Sequence, residues 1–302
     1  LSIKGYIDLH THGIGKFDTR TDSPEDILRM AALHGEKGTG AVLPAIYPGP
    51  IDSMRKNMEA VRKAISVQRS AGSDKKHLTL NAQLLTLNSS LILGVNLEGP
   101  FLNPLRCGAL EKKYFMKPTV SAFRKLIDGY EDIIRIITIA PELPGALKIM
   151  EKSVELGFRI NMGHSDATYK EALDGKKAGA TGITHMFNAM RPFHHREPGL
   201  AGLGLIDEEL YLEIIADGIH LHPKTIELIF NRRRLDRIML ISDSVKNAGK
   251  GKPLYSEKGL LAGSGITLSD SVKILKKSGV PEAEITEAAI DNPARYLSLL
   301  QV

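Results

Sequence analysis

The chain has 302 residues, 42% hydrophobic and 25% charged, ordinary proportions for a globular protein that exclude a disordered or fibrous chain. Forty Lys and Arg against 35 Asp and Glu leave +5, with one basic cluster at Arg232-Arg233-Arg234, too little to argue for a nucleic-acid partner. No stretch approaches the roughly 18 apolar residues of a membrane span, and the single cysteine, Cys107, excludes an internal disulfide and fits a reducing, cytoplasmic setting.

In chain order, short β-branched or apolar runs predict strands at residues 5–9, 41–46, 91–97, 133–139, 158–162, 182–184, 211–216 and 237–241. Helical patterns lie between them at residues 23–37, 51–70, 119–130, 144–156, 168–178 and 223–231. Ser23-Pro24-Glu25-Asp26 carries an N-cap signal with proline at the first helical position. Glu155-Leu156-Gly157 and Lys177-Ala178-Gly179 end their helices on glycine. After the eighth strand comes a glycine-rich loop at residues 254–265, then helices at 269–277 and 282–299. Eight strands that each feed a helix predict an α/β fold, a (β/α)8 TIM-type barrel over residues 1–302 with C-terminal helices. An open doubly wound sheet is the alternative. No secretory leader is expected, and a chain that begins at Leu1 and not at methionine predicts an earlier natural start.

In such a barrel chemistry collects at the C-terminal ends of the strands. Here those ends read Asp8-Leu9-His10-Thr11-His12, Glu98-Gly99-Pro100, Gly163-His164-Ser165, Thr184-His185 and Asp243-Ser244. His10 and His12 stand two apart on extended backbone, so both face one way and form a natural chelate for Zn or Fe(II). Glu98 ends a nearly apolar strand, where an ionised carboxylate is costly without a cation. Taken together, His10, His12, Glu98, His164, His185 and Asp243 predict a divalent metal site of one or two ions, with Asp243 as catalytic base. Zn and Fe suit these ligands best, and Co and Mn are compatible. Asn188, Arg191, His194, His195 and Arg196 crowd one loop, a composition suited to an anionic group, since arginine grips phosphate with a bidentate fork. Cys107 has no base placed for it by any motif and reads as an inert thiol.

These residues resemble the N-acetylglucosamine-6-phosphate deacetylase family of the amidohydrolase superfamily. The resemblance runs through His10-Thr11-His12-Gly13, Glu98-Gly99-Pro100-Phe101-Leu102-Asn103, Gly163-His164-Ser165 and Thr184-His185-Met186-Phe187-Asn188-Ala189-Met190. It continues through Arg196-Glu197-Pro198-Gly199, Ala216-Asp217-Gly218-Ile219-His220, Asp243-Ser244, Leu261-Ala262-Gly263-Ser264 and Asn292-Pro293-Ala294. It implies a metal-dependent hydrolase that removes acetate from an amino sugar phosphate, with Glu98, His164 and His185 on a main metal and His10 and His12 on a second. Asn188 and Ala189 would meet the sugar phosphate, and Arg196 and His220 would bind its phosphate across a homodimer. The family's Lys-Gly-Ala-His segment is replaced by Cys107-Gly108-Ala109-Leu110, which removes a hydrogen-bond donor near the scissile carbonyl. A flanking small β-sandwich is expected to be absent or trimmed, and the stretch from Ser244 to Leu261 to be short. Related hydrolases of N-acetylgalactosamine 6-phosphate or of cyclic amides are the alternatives, as is a silent sugar-phosphate-binding barrel. The end of the fourth strand, Ile139-Ala140-Pro141-Glu142, offers no metal-bridging lysine, which counts against the cyclic-amide branch.

Overall fold

Alternate residues of a strand face opposite sides, and here the two sides pack against different partners. The structure, a computed structural model, describes residues 3–73, 89–256 and 259–299. β1 (Tyr6–Thr11) runs into a small hairpin of β2 (Gly13–Ile14) and β3 (Phe17–Asp18), then α1 (Pro24–Glu36), β4 (Thr39–Ile46) and α2 (Ile51–Ser73). There follow β5 (Leu91–Ile92), β6 (Val95–Glu98), α3 (Val120–Ile127), β7 (Ile134–Ile139), α4 (Ala146–Glu155), β8 (Arg159–Met162), α5 (Tyr169–Lys177) and β9 (Gly182–Ile183). The chain continues with α6 (Gly199–Ile206), β10 (Tyr211–Ile215), α7 (Pro223–Arg232), β11 (Ile238–Ile241), α8 (Leu268–Lys277), α9 (Glu282–Thr286) and α10 (Asn292–Tyr296).

The main sheet is parallel, in the order β1-β4-β6-β7-β8-β9-β10-β11, with β5 also on β4. Its two ends meet at the C-terminal mouth: Asp243 N donates to His10 O at 2.8 Å and His12 N to Ser244 O at 2.7 Å. That closure is the expected barrel and sets aside the open sheet. On β10, Leu212 and Ile214 join the outer core between sheet and helices, whereas Ile215 joins an inner cluster with Ile7, Leu9, Leu43, Ile136, Met239 and Ile241. Tyr296 and Ala294 of α10 complete the inner cluster.

Three sequence expectations are corrected. The strand at 91–97 is two pieces, β5 and β6, broken at Gly94, whose φ is 144° and where an added Cβ would lie 2.3 Å from Ile133 O. The helix at 282–299 is α9, one π turn (Glu287–Asp291) and α10. Pro293 has no N–H for the i−4 carbonyl, so regular winding fails there. Helix α6 was not foreseen, because its Gly-Leu-Ala-Gly-Leu-Gly-Leu-Ile sequence is poor in propensity and apolar all round. The loop expected at 254–265 includes residues 257–258, which lie outside the described residues, as do 1–2, 74–88 and 300–302 of the expected domain. Among the described residues no helix is long and apolar enough to cross a membrane.

Candidate active site

The mouth of the barrel gathers the six strand-end residues into two buried triads, His10–His12–Asp243 and Glu98–His164–His185, with the ligand atoms of each within 4.8 Å of one another. Backbone strain marks these positions. His164, His185 and Asp243 have φ of 46°, 31° and 46°, as do Phe187 and Ala189 at 72° and 49°. Left-handed backbone is uncommon outside glycine and persists where surrounding structure enforces it.

Hydrogen bonds decide which ring nitrogens face inward. His12 Nδ1 donates to Ala45 O at 2.9 Å and His164 Nδ1 to Arg106 O at 2.8 Å. A carbonyl only accepts, so each ring carries its proton on Nδ1 and turns an Nε2 lone pair to the centre. His164 Nε2 lies 3.1 Å from both Glu98 Oε1 and His185 Nε2, and His185 Nε2 lies 3.2 Å from the same oxygen. His10 Nε2 and His12 Nε2 are 3.2 Å apart. Glu98 Oε2 stands 3.2 Å from His12 Nε2 without the alignment of a hydrogen bond and has no hydrogen-bond partner. Ligand atoms about 2.1 Å from a tetrahedral cation stand about 3.4 Å apart. Electron pairs converging at that spacing in a buried site fit a divalent metal, which Glu98, His164 and His185 would hold on one side and His10, His12 and Asp243 on the other.

Electrostatics agree. Burial alone would raise the Glu98 carboxyl, yet the imidazoles of His12, His164 and His185 hold it well below the usual carboxylate range. Burial disfavours charge on His10, but Glu213, Asp243 and Glu98 outweigh it and push His10 up to about 10. Proton and metal thus compete for the same lone pair. Buried Asp8, whose Oδ1 accepts from Ser242 N at 3.1 Å, is pushed up to about 6 by desolvation.

The substrate-side residues are more scattered. Asn188 and Ala189 lie on the turn after His185: Asn188 N donates to His185 O at 2.9 Å, and Ala189 O accepts from Ser165 N at 3.2 Å. A Cβ added at Gly108 would touch Ala189 Cβ at 3.5 Å and His164 Cε1 at 3.7 Å, so the loop carrying Cys107 to Leu110 passes over the His164 triad. His220 is largely buried with its Nδ1 2.7 Å from Asp217 Oδ2; burial opposes its charge, but Asp217 and Asp243 hold its pKa above the ordinary imidazole range. Arg196 is exposed, its Nη1 3.1 Å from His195 Nε2.

Several residues at the site escaped the sequence reading. Tyr47 stacks on His12 with ring centroids 3.7 Å apart and 17° between planes, and Arg20 lies over Tyr47 at 3.8 Å. Glu213, fully buried on β10, has Oε2 3.3 Å from His10 Nδ1. The cost of burying an ionised carboxylate in an apolar run, the signal that marked Glu98, applies equally to Leu212-Glu213-Ile214.

No family model matches the chain. An N-acetylgalactosamine-6-phosphate deacetylase of Escherichia coli O157:H7 is 30% identical over an alignment covering 97% of this chain and 77% of that protein. An N-acetylglucosamine-6-phosphate deacetylase of Bacillus subtilis is 29% identical, covering 98% of this chain and 75% of that one. Among solved structures, the N-acetylglucosamine-6-phosphate deacetylase of Thermotoga maritima superposes with a TM-score of 0.84 at 27% identity, covering 98% of this chain and 79% of that chain. A mutant of the Mycobacterium smegmatis enzyme in complex with N-acetyl-D-glucosamine-6-phosphate gives 0.82 at 28% identity, covering 98% and 77%. Joined to a barrel whose mouth holds two His–carboxylate triads, these likenesses place the matter beyond the barrel architecture alone: the chain belongs to the N-acetylglucosamine-6-phosphate deacetylase family.

Proposed function

We propose that the chain hydrolyses the acetamide of N-acetylglucosamine 6-phosphate, giving glucosamine 6-phosphate and acetate. The observation that carries this reading is the pair of complete metal-ligand triads at the mouth of a barrel with these relatives. A divalent ion held there supplies Lewis acidity toward a water and the amide carbonyl. Asp243 Oδ1, 3.7 Å from His10 Nε2 and 3.6 Å from His12 Nε2, takes the water's proton and returns it to the departing amine. Asn188 and the backbone of Ala189 meet the sugar phosphate, and His220 and Arg196 bind the phosphate itself. Zn or Fe is the favoured metal, in one or both triads. Residues 1–302 act as one catalytic unit, in the cytoplasm and as a homodimer, with an amino sugar phosphate as the small-molecule partner.

The C4 epimer, N-acetylgalactosamine 6-phosphate, is the second reading. The Escherichia coli relative bears that name, and Leu110, which cannot donate a hydrogen bond, stands on the loop over His164 where the family carries a histidine. The test is acetate release from each 6-phosphate and from the unphosphorylated sugars, with and without added Zn or Fe(II). Metal-dependent release from N-acetylglucosamine 6-phosphate alone supports the first reading, and preference for the galactose epimer supports the second. Metal-loaded protein that releases acetate from neither overturns both.

A further inference from the structure

Each ring that faces the centre needs something behind it to fix its tautomer, and the four histidines are not backed alike. His12 and His164 lean on neutral carbonyls, Ala45 O and Arg106 O. His185 Nδ1 has no hydrogen-bond partner. His10 alone of the four leans on a carboxylate, Glu213 Oε2.

The proton directions behind Glu213 run one way. Tyr296 Oη donates to Asn161 Oδ1 at 2.5 Å and therefore accepts from Thr181 Oγ1, 3.1 Å away. With its oxygen so engaged, Asn161 turns Nδ2 toward Glu213 Oε1 at 2.8 Å. Glu213 accepts on both oxygens, as an ionised carboxylate does, and His10 must give it the Nδ1 proton. The chain of donors crosses β9 at Gly182, where an added Cβ would come 2.3 Å from Asn161 Oδ1 and 2.8 Å from Tyr296 Oη. Thr181, Tyr296, Asn161 and Glu213 thus form a directed relay from α10, through the barrel interior, to a ligand at the mouth.

We infer that Glu213 is a positioning residue that selectively fits the His10–His12–Asp243 triad for a divalent ion, and that the Tyr296–Asn161 pair locks it in that role. The inference rests on the two-triad reading given above. Ionised Glu213 holds the His10 proton on Nδ1, keeps the Nε2 lone pair aimed at His12, and strengthens that lone pair as a donor. The Glu98–His164–His185 triad has no carboxylate behind either imidazole among the described residues, so it should be indifferent to Glu213.

Glu213→Gln tests this with almost no change of shape. The new amide must direct its NH2 at either Asn161 Nδ2 or His10 Nδ1. Asn161 could reverse only if Tyr296 also swung its hydroxyl onto Thr181 Oγ1, two coupled turns in a buried site, whereas an imidazole has only to move its proton. His10 therefore accepts on Nδ1 and carries its proton on Nε2, where the ion must bind. The experiment titrates chelator-stripped protein with Co(II), reading stoichiometry by elemental analysis and ligand-field absorption, with circular dichroism and melting as controls. Wild type should bind two ions. Glu213→Gln should keep its fold and one ion, and bind the other about 10- to 100-fold more weakly. Tyr296→Phe alone should bind both. The double variant Glu213→Gln, Tyr296→Phe frees Asn161 to reverse and should recover affinity for the weakened ion. A Gln variant that binds both ions like wild type overturns the inference, as does equal weakening of both or absence of rescue. A wild type that binds one ion overturns the two-triad reading before any variant is made, and acetate release without a second ion would still leave the deacetylase reading standing.

Discussion

Asp243 illustrates how much rests on one side chain. It sits on left-handed backbone with φ of 46°, closes the barrel through its N–H to His10 O, and keeps its carboxylate within 3.7 Å of the ring nitrogens of His10 and His12. Asp243→Asn keeps an oxygen for the metal but cannot take a proton, so metal content should persist while turnover falls about a hundred- to ten-thousand-fold. Metal analysis beside acetate release checks this, and near-normal turnover would assign the base elsewhere. That these six residues gather at one site was readable because their types, His and carboxylate, are costly where the barrel places them. Glu213 carries the same signal but lies mid-strand, away from the strand ends where barrel chemistry collects. The role of Tyr47 was not readable, since nothing in Ile46-Tyr47-Pro48 announces a ring stacked on His12. Ala189 and His220 come from family resemblance alone, and Asn188 and Arg196 from that and the anion-suited composition of their loop; the structure explains why, since their local contacts are ordinary turns, a neighbouring histidine and an Asp–His pair.

At the scale of elements, α1 is tied to the site by a chain of hydroxyls. Ser244 Oγ donates to Gly13 O at 2.9 Å, so Thr11 Oγ1 donates to Ser244 Oγ at 2.8 Å and accepts from His34 Nε2 at 3.0 Å. His34 is fully buried and its Nδ1 has no partner, so a second ring proton would be unsatisfied, and desolvation lowers its pKa to about 4. The unfolded chain takes up that proton first, near pH 6.5. Stability is therefore intact above pH 6.5, falls as pH drops toward 4, and loses about 3 kcal/mol from this residue over that interval. His34→Gln should flatten the pH slope of denaturant melts by that amount, whatever its effect at pH 7, and parallel slopes for the two proteins would refute the argument. Elements were otherwise well signalled where pattern and propensity agreed, as in α1 with Ser23 as cap and Pro24 at its first turn. They were misread where a single residue overrode the pattern. Gly94 split an apolar run, Pro293 forced a π turn, and the three glycines of α6 hid a helix whose stability comes from burial.

At the scale of the molecule, the phosphate site proposed above turns on which chain supplies its arginine. Of the guanidinium groups on the loops after β6 and β9, Arg106 and Arg191 are both committed to Asp166, at 2.6 and 2.7 Å. Arg196 has no carboxylate partner among the described residues and is exposed on the same loop as Phe193, itself 51% exposed. An exposed charged fork and an exposed aromatic ring on one loop suit contact with a second copy of the chain, whose substrate phosphate Arg196 would grip. If the arginine acts across a twofold interface, each active site draws Asp243 from one chain and Arg196 from the other. Arg196→Ala and Asp243→Asn homodimers should then each be crippled. Unfolding and refolding them as an equimolar mixture makes half the dimers mixed, each with one site that has both residues, and restores about a quarter of wild-type activity. If Arg196 serves its own chain, no mixed dimer holds a complete site and activity stays at the level of the parents. The complementation assay separates the two arrangements without any structure of the complex, and activity regained in the mixture would also show that the protein dimerises, because a monomer cannot complement.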